Sequence, residues 1–308
     1  MKKILYQEAD FYGASKLIFG DRLLPACYQA TWMHGLGQAF KNNVNSKILI
    51  NYDEDFLPIH LVNNYDTVEL LSREGIESIA VGMPYIYTNA YSKNTRNKPL
   101  YKRVFMPEHS IAGENQVSKY NEWRDIIDKY SCDAICMASI DYDDFINDKN
   151  DIFSDINIIK GASIKDPYAL EKMAILFFDM EEMITNAIGS HIVYASASGV
   201  KIRIVDEIRN LYMLNSKSKD ISIFPSKVQK EFKAYYSGKS ETLNKILSSI
   251  WMSGDDAEIK EHSKFLLGVD YKKDKNALMS LLTPTSQIKK IEIISHLLFN
   301  KISRKIGL

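Results

Sequence analysis

The feature that most constrains this fold is a regular alternation of short apolar strands with helices, which runs from Lys102 to Asp206. The segments are, in order, the strand KRVFMP, the helix VSKYNEWRDIIDKYS, the strand DAICMAS, an acidic loop, the strand INIIKGAS, the helix DPYALEKMAILFF, the strand MEEMITN, the helix SHIVYASASG and the strand VKIRIVD. Asp166 and Pro167 strengthen one helix assignment, because Asp is a favoured N-cap and Pro a favoured first-turn residue. Helices that alternate with buried strands indicate a parallel sheet covered by helices. This part of the chain is therefore predicted to be a doubly wound α/β unit.

A similar alternation precedes this unit. The strands KKILYQ and SKILINYD come first, and a helix from Thr67 to Arg73 is followed by Gly75 and a strand that ends at Val81. The polar stretch YTNAYSKNTRNKPLY has no period and contains Pro99, which indicates a linker. Beyond Asp206 the periodicity is helical only. The predicted organisation is an N-terminal α/β domain over residues 1–90, a linker over 91–102, a second α/β domain over 103–215 and a helical segment over 216–308.

The charge balance limits the classes of partner. The chain has 39 basic and 39 acidic residues, so no global field favours nucleic acid. No window supplies the roughly 20 apolar residues of a membrane span, and the N-terminus lacks the apolar core of a signal peptide. These features predict a cytoplasmic protein whose three cysteines stay reduced and form neither a disulfide framework nor a zinc site.

The carboxyl ends of the predicted strands carry the candidate site residues, because open α/β sheets bind ligands at that edge. The four segments that follow strands are MPEHS (106–110), ASIDYDD (138–144), KGAS (160–163) and TNAIGSH (185–191). Two of the four contain a His beside a Ser. We expect these segments to surround a ligand.

The segment GSH stands where a helix begins, and the first backbone N–H groups of a helix have no partner within it. Those donors and the helix dipole favour a phosphate, with Gly189 allowing close approach and Ser190 and His191 adding donors. The alternative is that Ser190 caps the helix and His191 is a surface residue without a ligand. Both interpretations fit this segment when it is taken alone.

The segment MPEHS ends the first strand of the second unit and presents Glu108, His109 and Ser110. A histidine at this place can contact a nucleotide phosphate, and Glu108 can act as an acid or base if its surroundings shift its pKa. The alternative is a loop that binds nothing.

The motifs VFMPEHS, KGASIKDP and MEEMITNAIGSHIVYASASGVKIRIVD resemble the donor-binding half of bacterial GT-B glycosyltransferases that build capsule, O-antigen or lipooligosaccharide. Members are similar in a Pro-x-His-Ser turn, a Thr-Asn or Thr-Ser pair, a Gly-Ser/Thr-His turn and a Tyr-Ala before a G-x-K-x-x-I strand. The resemblance covers residues 104–206 and is weak elsewhere. It implies two Rossmann-like domains and transfer of a sugar from a nucleotide-sugar donor to a surface glycan, free or lipid-linked. The donor contacts that it implies are His109, Ser110, Lys160, Gly161, Thr185, Asn186, Gly189, Ser190 and His191.

The N-terminal half is similar to the same enzymes in TWMHGLGQAF and VGMPYIY. The resemblance implies that His34 faces the acceptor, where an imidazole would suit deprotonation of a sugar hydroxyl. Glu8 and Asp10 follow the first predicted strand and are further candidates for the base. The alternative for His34 is a packed loop residue beside Trp32.

Other functions remain open. Asp141 and Asp143, and likewise Asp53 and Asp55, form the Asp-x-Asp pattern with which GT-A enzymes hold a divalent metal, but a solvated acidic run gives the same pattern. We therefore predict no metal and no cofactor. A nucleotide-sugar 2-epimerase shares the architecture, although its corresponding turn is of the Ser-Gly-Gly type. A non-catalytic nucleotide- or glycan-binding module is the remaining alternative.

The C-terminal segment predicts a basic amphipathic helix. Its apolar residues are Ile291, Ile294, Leu298 and Ile302, and its basic residues are Lys289, Lys290, Lys301, Arg304 and Lys305. Such a helix can lie on anionic lipid at the inner face of the cytoplasmic membrane, or it can pack on the domain through its apolar face.

Overall fold

The structure is a computed structural model that describes residues 6–34, 57–73, 75–93, 98–108, 116–187, 189–205 and 256–306. The chain forms two compact units. The first comprises Met1–Ser92, Ile164–Leu170 and Lys264–Leu308, and the second comprises Lys93–Ser163 and Glu171–Ser263. Residues from Lys264 onward group with the first unit. The domain boundaries expected from the sequence at residues 90, 102 and 215 stay predictions.

The described helices and strands follow the chain in a mixed α/β order. The strands are β1 (Ala30–Trp32), β2 (Ile59–Val62), β3 (Ser78–Ala80), β4 (Tyr101–Phe105), β5 (Ala134–Met137), β6 (Asn157–Lys160), β7 (Met180–Thr185) and β8 (Lys201–Ile204). The helices are α1 (Ala14–Phe19), α2 (Tyr65–Ser72), α3 (Asn89–Lys93), α4 (Tyr120–Tyr130), α5 (Ser139–Asp148), α6 (Ala169–Phe178), α7 (Ser190–Ala197), α8 (Asp256–Leu267), α9 (Lys275–Leu282) and α10 (Gln287–Ile306). Short 3-10 turns cover Glu8–Gly13, Pro84–Tyr87, Val117–Lys119 and Val269–Tyr271.

The second unit contains a five-stranded parallel sheet in the order β6-β5-β4-β7-β8. The strands from β4 to β6 step outward in one direction, and β7 and β8 step outward in the other. This is the strand order of doubly wound Rossmann-type sheets, whose ligands bind where the direction reverses. The reversal falls between β4 and β7, which pair directly.

The core of the second unit explains why its helices form. On α4, Tyr120, Trp123 and Ile127 recur at spacings of three and four residues and are buried together. The Tyr120 ring meets Phe145 at 5.4 Å and Phe153 at 6.0 Å between centroids. Aromatic rings of α4, of α5 and of the loop before β6 therefore join one cluster beside the sheet.

The prediction of an acidic loop after β5 is wrong for its first half, because residues 139–148 form α5. Burial of Phe145 in the aromatic cluster stabilises the helix. Asp141 in the first turn adds a favourable interaction between its negative charge and the helix dipole. Lys149 ends the helix in a left-handed conformation with φ of 53°. Packing of one aromatic residue thus outweighs the low helix propensity of an Asp-rich segment.

The first unit contains a three-stranded parallel sheet in the order β1-β2-β3. Helix α2 begins where the Asn64 side chain accepts a hydrogen bond from the Thr67 amide at 3.2 Å, and the chain turns after it at Gly75, which has φ of 72°. Of the predicted strand KKILYQ, only Tyr6 and Gln7 are described, and they lead into a 3-10 turn. The predicted strand SKILINYD lies outside the described residues. The described part of the predicted linker includes the end of α3 and the start of β4.

Candidate functional site

The strand order places β5 and β7 on either side of β4, and hydrogen bonds join two of the predicted site segments, those after β4 and β7, at the edge of the five-stranded sheet. Because β4 and β7 are neighbours and parallel, Glu108 and Asn186 leave the sheet at the same end. The Glu108 backbone amide donates to Asn186 Oδ1 at 2.8 Å, and the Met106 amide donates to the Ile184 carbonyl at 2.8 Å. The segments MPEHS and TNAIGSH therefore start side by side at the point where the strand order reverses.

Asn186 is the most informative residue of this edge. It is only 1% exposed, and its Nδ2 atom has no hydrogen-bond partner in the part of the chain that the structure describes. A buried amide donor without a partner costs about 1–3 kcal/mol, so such groups are rare unless something else pairs with them. The Asn186 side chain is held by its oxygen and leaves a donor for a further acceptor.

The Glu108 carboxylate forms an ion pair with Lys119. Its Oε1 accepts a hydrogen bond from Lys119 Nζ at 2.7 Å, and its side chain is largely buried. The ammonium group offsets the carboxylate charge at the strand end. The pairing is more typical of a residue that positions Lys119 than of a general acid or base.

Thr185 and His191 form the next part of the edge. Thr185 Oγ1 lies 3.1 Å from both the amide nitrogen and the carbonyl oxygen of Ala187, and 3.2 Å from His191 Nε2. The threonine hydroxyl thus links the turn after β7 to the imidazole in the first turn of α7. This contact fixes the direction of the His191 ring.

No side chain of the N-cap residue caps the N-terminus of α7. Gly189 is the N-cap with no side-chain hydrogen bond, and Ser190 is the first helical residue. The alternative in which Ser190 caps the helix is therefore wrong, because the cap position falls one residue earlier. The Ile192 amide turns back to the Gly189 carbonyl at 3.1 Å.

Lys160 and Gly161 lie at a different place in the sheet. They end β6, an edge strand that β5 separates from β4. Lys160 Nζ donates to Asp143 at 2.5 Å and lies 5.3 Å from the centre of the Tyr142 ring. A Cβ atom on Gly161 would stand 2.6 Å from the Met137 carbonyl oxygen, so glycine is needed there for packing against β5. The structure does not bring these two residues to Asn186.

His109 and Ser110, the remaining donor contacts predicted for the strand that ends at Phe105, lie outside the described residues. Of the two Asp-x-Asp pairs considered for a metal, Asp53 and Asp55 also lie outside the described residues. Asp141 and Asp143 lie on α5, and no group of three or more metal-ligating side chains occurs within residues that the structure describes.

A second group of predicted site residues lies in the first unit. His34 Nδ1 is 3.4 Å from Glu8 Oε1, and both side chains are largely shielded from solvent. The His34 ring meets Phe11 edge-on at 5.0 Å and Tyr12 at 5.5 Å between centroids. Tyr12 has φ of 55°, a conformation that costs a non-glycine residue about 1 kcal/mol or more. The structure thus places an imidazole between a carboxylate and two aromatic rings.

Asp10 has a different environment from Glu8. Its carboxylate accepts hydrogen bonds from Ser15 Oγ at 2.8 Å, Tyr28 Oη at 2.8 Å and the Gln7 amide at 3.2 Å. Burial and the Asp10 charge raise the pKa of Tyr28, which keeps this phenol a donor. No sequence pattern indicates Tyr28 or Ser15, because their hydroxyls reach Asp10 only in the folded chain. Asp10 is a structural acceptor in this unit.

The described residues thus make a mixed α/β protein with parallel sheets of three and five strands, the larger in Rossmann-type order. No described helix is both long enough and apolar enough to span a membrane. No protein-family model matches the sequence, and no curated protein matches it. Among solved structures, a chain described as "Crystal structure of GtfA/B complex" is similar over 73% of this chain and 45% of that chain, at 13% identity and a TM-score of 0.31. This chain therefore spans less than half of that chain's length, and a TM-score of that size establishes neither a shared fold nor a shared activity.

Proposed function

We propose that the protein is a glycosyltransferase that moves a sugar from a nucleotide-sugar donor to a bacterial surface glycan, free or lipid-linked. The observation that carries the proposal is the buried Asn186 amide with no partner among the described residues, at the reversal of strand order between β4 and β7. Ligands of doubly wound sheets bind at this reversal, and a nucleotide offers many acceptor oxygens. The resemblance of residues 104–206 to donor-binding domains supports the same assignment.

The chemistry of this edge suits a phosphate group. The first N–H groups of α7 and the positive end of its dipole favour an anion, and Ser190 and His191 stand in that first turn. Thr185 directs the imidazole, and Asn186 Nδ2 adds a donor from the strand end. In the proposed reaction these donors stabilise the charge that develops on the leaving phosphate, so no metal is required.

The proposed acceptor chemistry rests on Glu8 and His34. In this proposal His34 is the base that takes the proton of an acceptor hydroxyl. The resulting imidazolium is stabilised by the Glu8 carboxylate, 3.4 Å from Nδ1. Phe11 and Tyr12 hold the ring in place.

The decisive experiment is a thermal-shift measurement with CMP, UDP, GDP and TDP. At 100 times its Kd a nucleotide stabilises the native state by about 2.7 kcal/mol, which corresponds to a rise in Tm of roughly 4 °C for a chain of this length. We expect one nucleotide to produce this shift, and EDTA to leave it unchanged. If all four nucleotides leave Tm unchanged at millimolar concentration, the proposal is wrong.

The variant that tests the site is Asn186→Asp. It keeps the oxygen that accepts from the Glu108 amide but replaces the amide donor with a second acceptor oxygen, which repels phosphate. We expect at least a tenfold rise in the nucleotide Kd, about 1.4 kcal/mol. Asn157→Asp, an exposed residue on edge strand β6, is the matched control and should bind as the wild type does.

A non-catalytic nucleotide-binding module is the second candidate, favoured by the locking of Asp10 in three hydrogen bonds. Release of nucleotide from the matching nucleotide sugar, with and without glycan acceptors, separates the two functions. We expect His34→Ala and Glu8→Gln to lower this turnover while the nucleotide-induced shift stays intact. Nucleotide binding without any turnover would favour the module, and free epimerised nucleotide sugar would favour an epimerase.

A further inference from the structure

The C-terminal helix α10 packs on the first unit through one narrow face. Ile293 and Leu297 are buried, Ile294 is partly buried, and they contact Cys27 and Leu57. The Cys27 thiol also reaches the Lys290 carbonyl at 3.8 Å. The packed residues are not the ones predicted from the sequence, since Ile291 and Leu298 do not take part in this packing.

The opposite face of α10 is apolar and exposed. Ile288 is 72% exposed, Ile291 64%, Leu298 40% and Phe299 68%. At about 100° per residue these four lie within an arc of roughly 100°, centred about 170° from the Ile293–Leu297 pair. Four large apolar side chains on one exposed helix face are unusual, because soluble proteins expose such residues singly.

The charge of α10 indicates what covers this face. The helix carries five basic residues and one acidic residue, Glu292, in a chain whose formal net charge is zero. From Ile259 to the C-terminus there are ten basic and four acidic residues. At about 100° per residue, Lys289 and Lys290 lie roughly 130° to either side of the centre of the exposed apolar face, so the helix has an apolar face with a basic residue on each flank. An anionic lipid surface attracts such charges and admits the apolar side chains.

We propose that the exposed apolar face of α10 docks on an anionic lipid bilayer, with the helix lying in the plane of the interface. A second copy of the chain fits this face less well, because a two-fold symmetric dimer through it would bring two basic helices together. The proposal does not depend on the glycosyltransferase function, although it would bring the protein to lipid-linked acceptors.

The test is flotation of the full chain with vesicles of phosphatidylcholine alone or with one quarter phosphatidylglycerol. We expect binding to the anionic vesicles, little binding to the neutral ones, and weaker binding at 0.5 M salt. The double variant Ile291→Asn with Phe299→Asn should have a vesicle partition coefficient at least about tenfold lower than the wild type, since both side chains lose their apolar contact with lipid. Lys289→Gln with Lys290→Gln should lose binding to anionic vesicles in particular.

The matched control is Ile146→Asn with Ile175→Asn, which are 51% and 49% exposed on α5 and α6. It should float as the wild type does, and all variants should keep the wild-type Tm. Absence of binding to anionic vesicles, or equal binding by the Ile291→Asn/Phe299→Asn variant, overturns the proposal. So does a wild-type dimer in sedimentation equilibrium that this variant converts to a monomer, which would assign the face to a second copy.

Discussion

Glu8 and Asp10 are two residues apart in the sequence, yet their carboxylates have different surroundings. Asp10 accepts from Ser15, Tyr28 and the Gln7 amide, whereas Glu8 lies beside His34. The sequence predicted both as candidates because both carry a carboxylate and both follow the first predicted strand. It could not separate them, since Tyr28 is 18 positions away and meets Asp10 only in the folded chain.

Asp10→Asn is expected to lower the free energy of unfolding by about 2–3 kcal/mol, because hydrogen bonds to a charged acceptor are strong and an amide would oppose one donor. Urea denaturation at pH 7 measures the change. Tyr28→Phe removes one of the three donors and should cost about 1–2 kcal/mol. An Asp10→Asn variant as stable as the wild type would show that this carboxylate has no structural role.

Two buried thiols give a second prediction at this scale. Burial raises the pKa of Cys132 and of Cys136 to about 12, so the reactive thiolate is scarce near neutral pH. Iodoacetamide at pH 8 should label neither residue in the native protein, and both should react once urea unfolds the chain. Peptide mass spectrometry reads each site separately. Rapid native labelling at either site would contradict its burial.

Helix ends show how one glycine can be required and another replaceable. Gly268 follows α8 with φ of 68°, and a Cβ atom there would stand 1.7 Å from the Asn63 carbonyl oxygen. Gly75 follows α2 with φ of 72° and has open space around it. We expect Gly75→Ala to cost about 1 kcal/mol and Gly268→Ala about 3 kcal/mol or more, because the second change also displaces backbone. Thermal unfolding of the two variants should show this difference, and equal losses would refute it.

The strands β4, β7 and β8 are joined by one carboxylate. Glu182 accepts from Arg103 at 2.9 Å and from Arg203 at 2.8 Å. Burial raises the pKa of Glu182, but the hydrogen bonds from Arg203 and Arg103 outweigh it and lower the pKa overall. A lowered pKa in the folded state means that the charged form stabilises the fold above the unfolded value near pH 4.3, and this contribution is lost as the pH falls.

Glu182→Gln is therefore expected to lower stability at pH 7 by about 1–2 kcal/mol, a range that allows for solvent around Arg203. The difference from the wild type should shrink as the pH falls from 5 towards 3, which urea unfolding at several pH values measures. Glu181→Gln, an exposed neighbour on the same strand, is the control and should stay within about 0.5 kcal/mol. A Glu182→Gln loss that does not depend on pH would contradict the ionic origin.

The elements themselves differ in how far the sequence predicted them. Strands β4 to β8 and helices α4, α6 and α7 follow the predicted alternation, because each contains apolar residues in a local pattern that the sequence shows. Helix α5 was missed, since its one buried aromatic, Phe145, gains its stability from α4 and from the loop before β6. Strands β1 and β2 are three and four residues long and have too little pattern to detect.

At the scale of the whole molecule, the sequence predicted which segments end strands but not which strand ends are neighbours. Asn186 and Glu108 come together because β7 pairs with β4, and Lys160 is separate because β6 lies at the sheet edge. Strand order depends on contacts between distant segments, so four strand-end motifs appear equivalent in the sequence. In the fold, β4 pairs with both β5 and β7, and hydrogen bonds join the end of β4 to the end of β7.

The whole-chain charge gives the last prediction. The formal net charge is zero at pH 7 and the calculated isoelectric point is about 7.0, so intermolecular repulsion is weakest there. Solubility in polyethylene glycol at low salt should pass through a minimum near pH 7 and rise on both sides. Replacement of the exposed Lys98 and Lys102 by Glu makes the net charge more negative and should move the minimum to lower pH. A minimum that stays near pH 7 in this variant would show that association depends on a local patch, such as the apolar face of α10, and not on net charge.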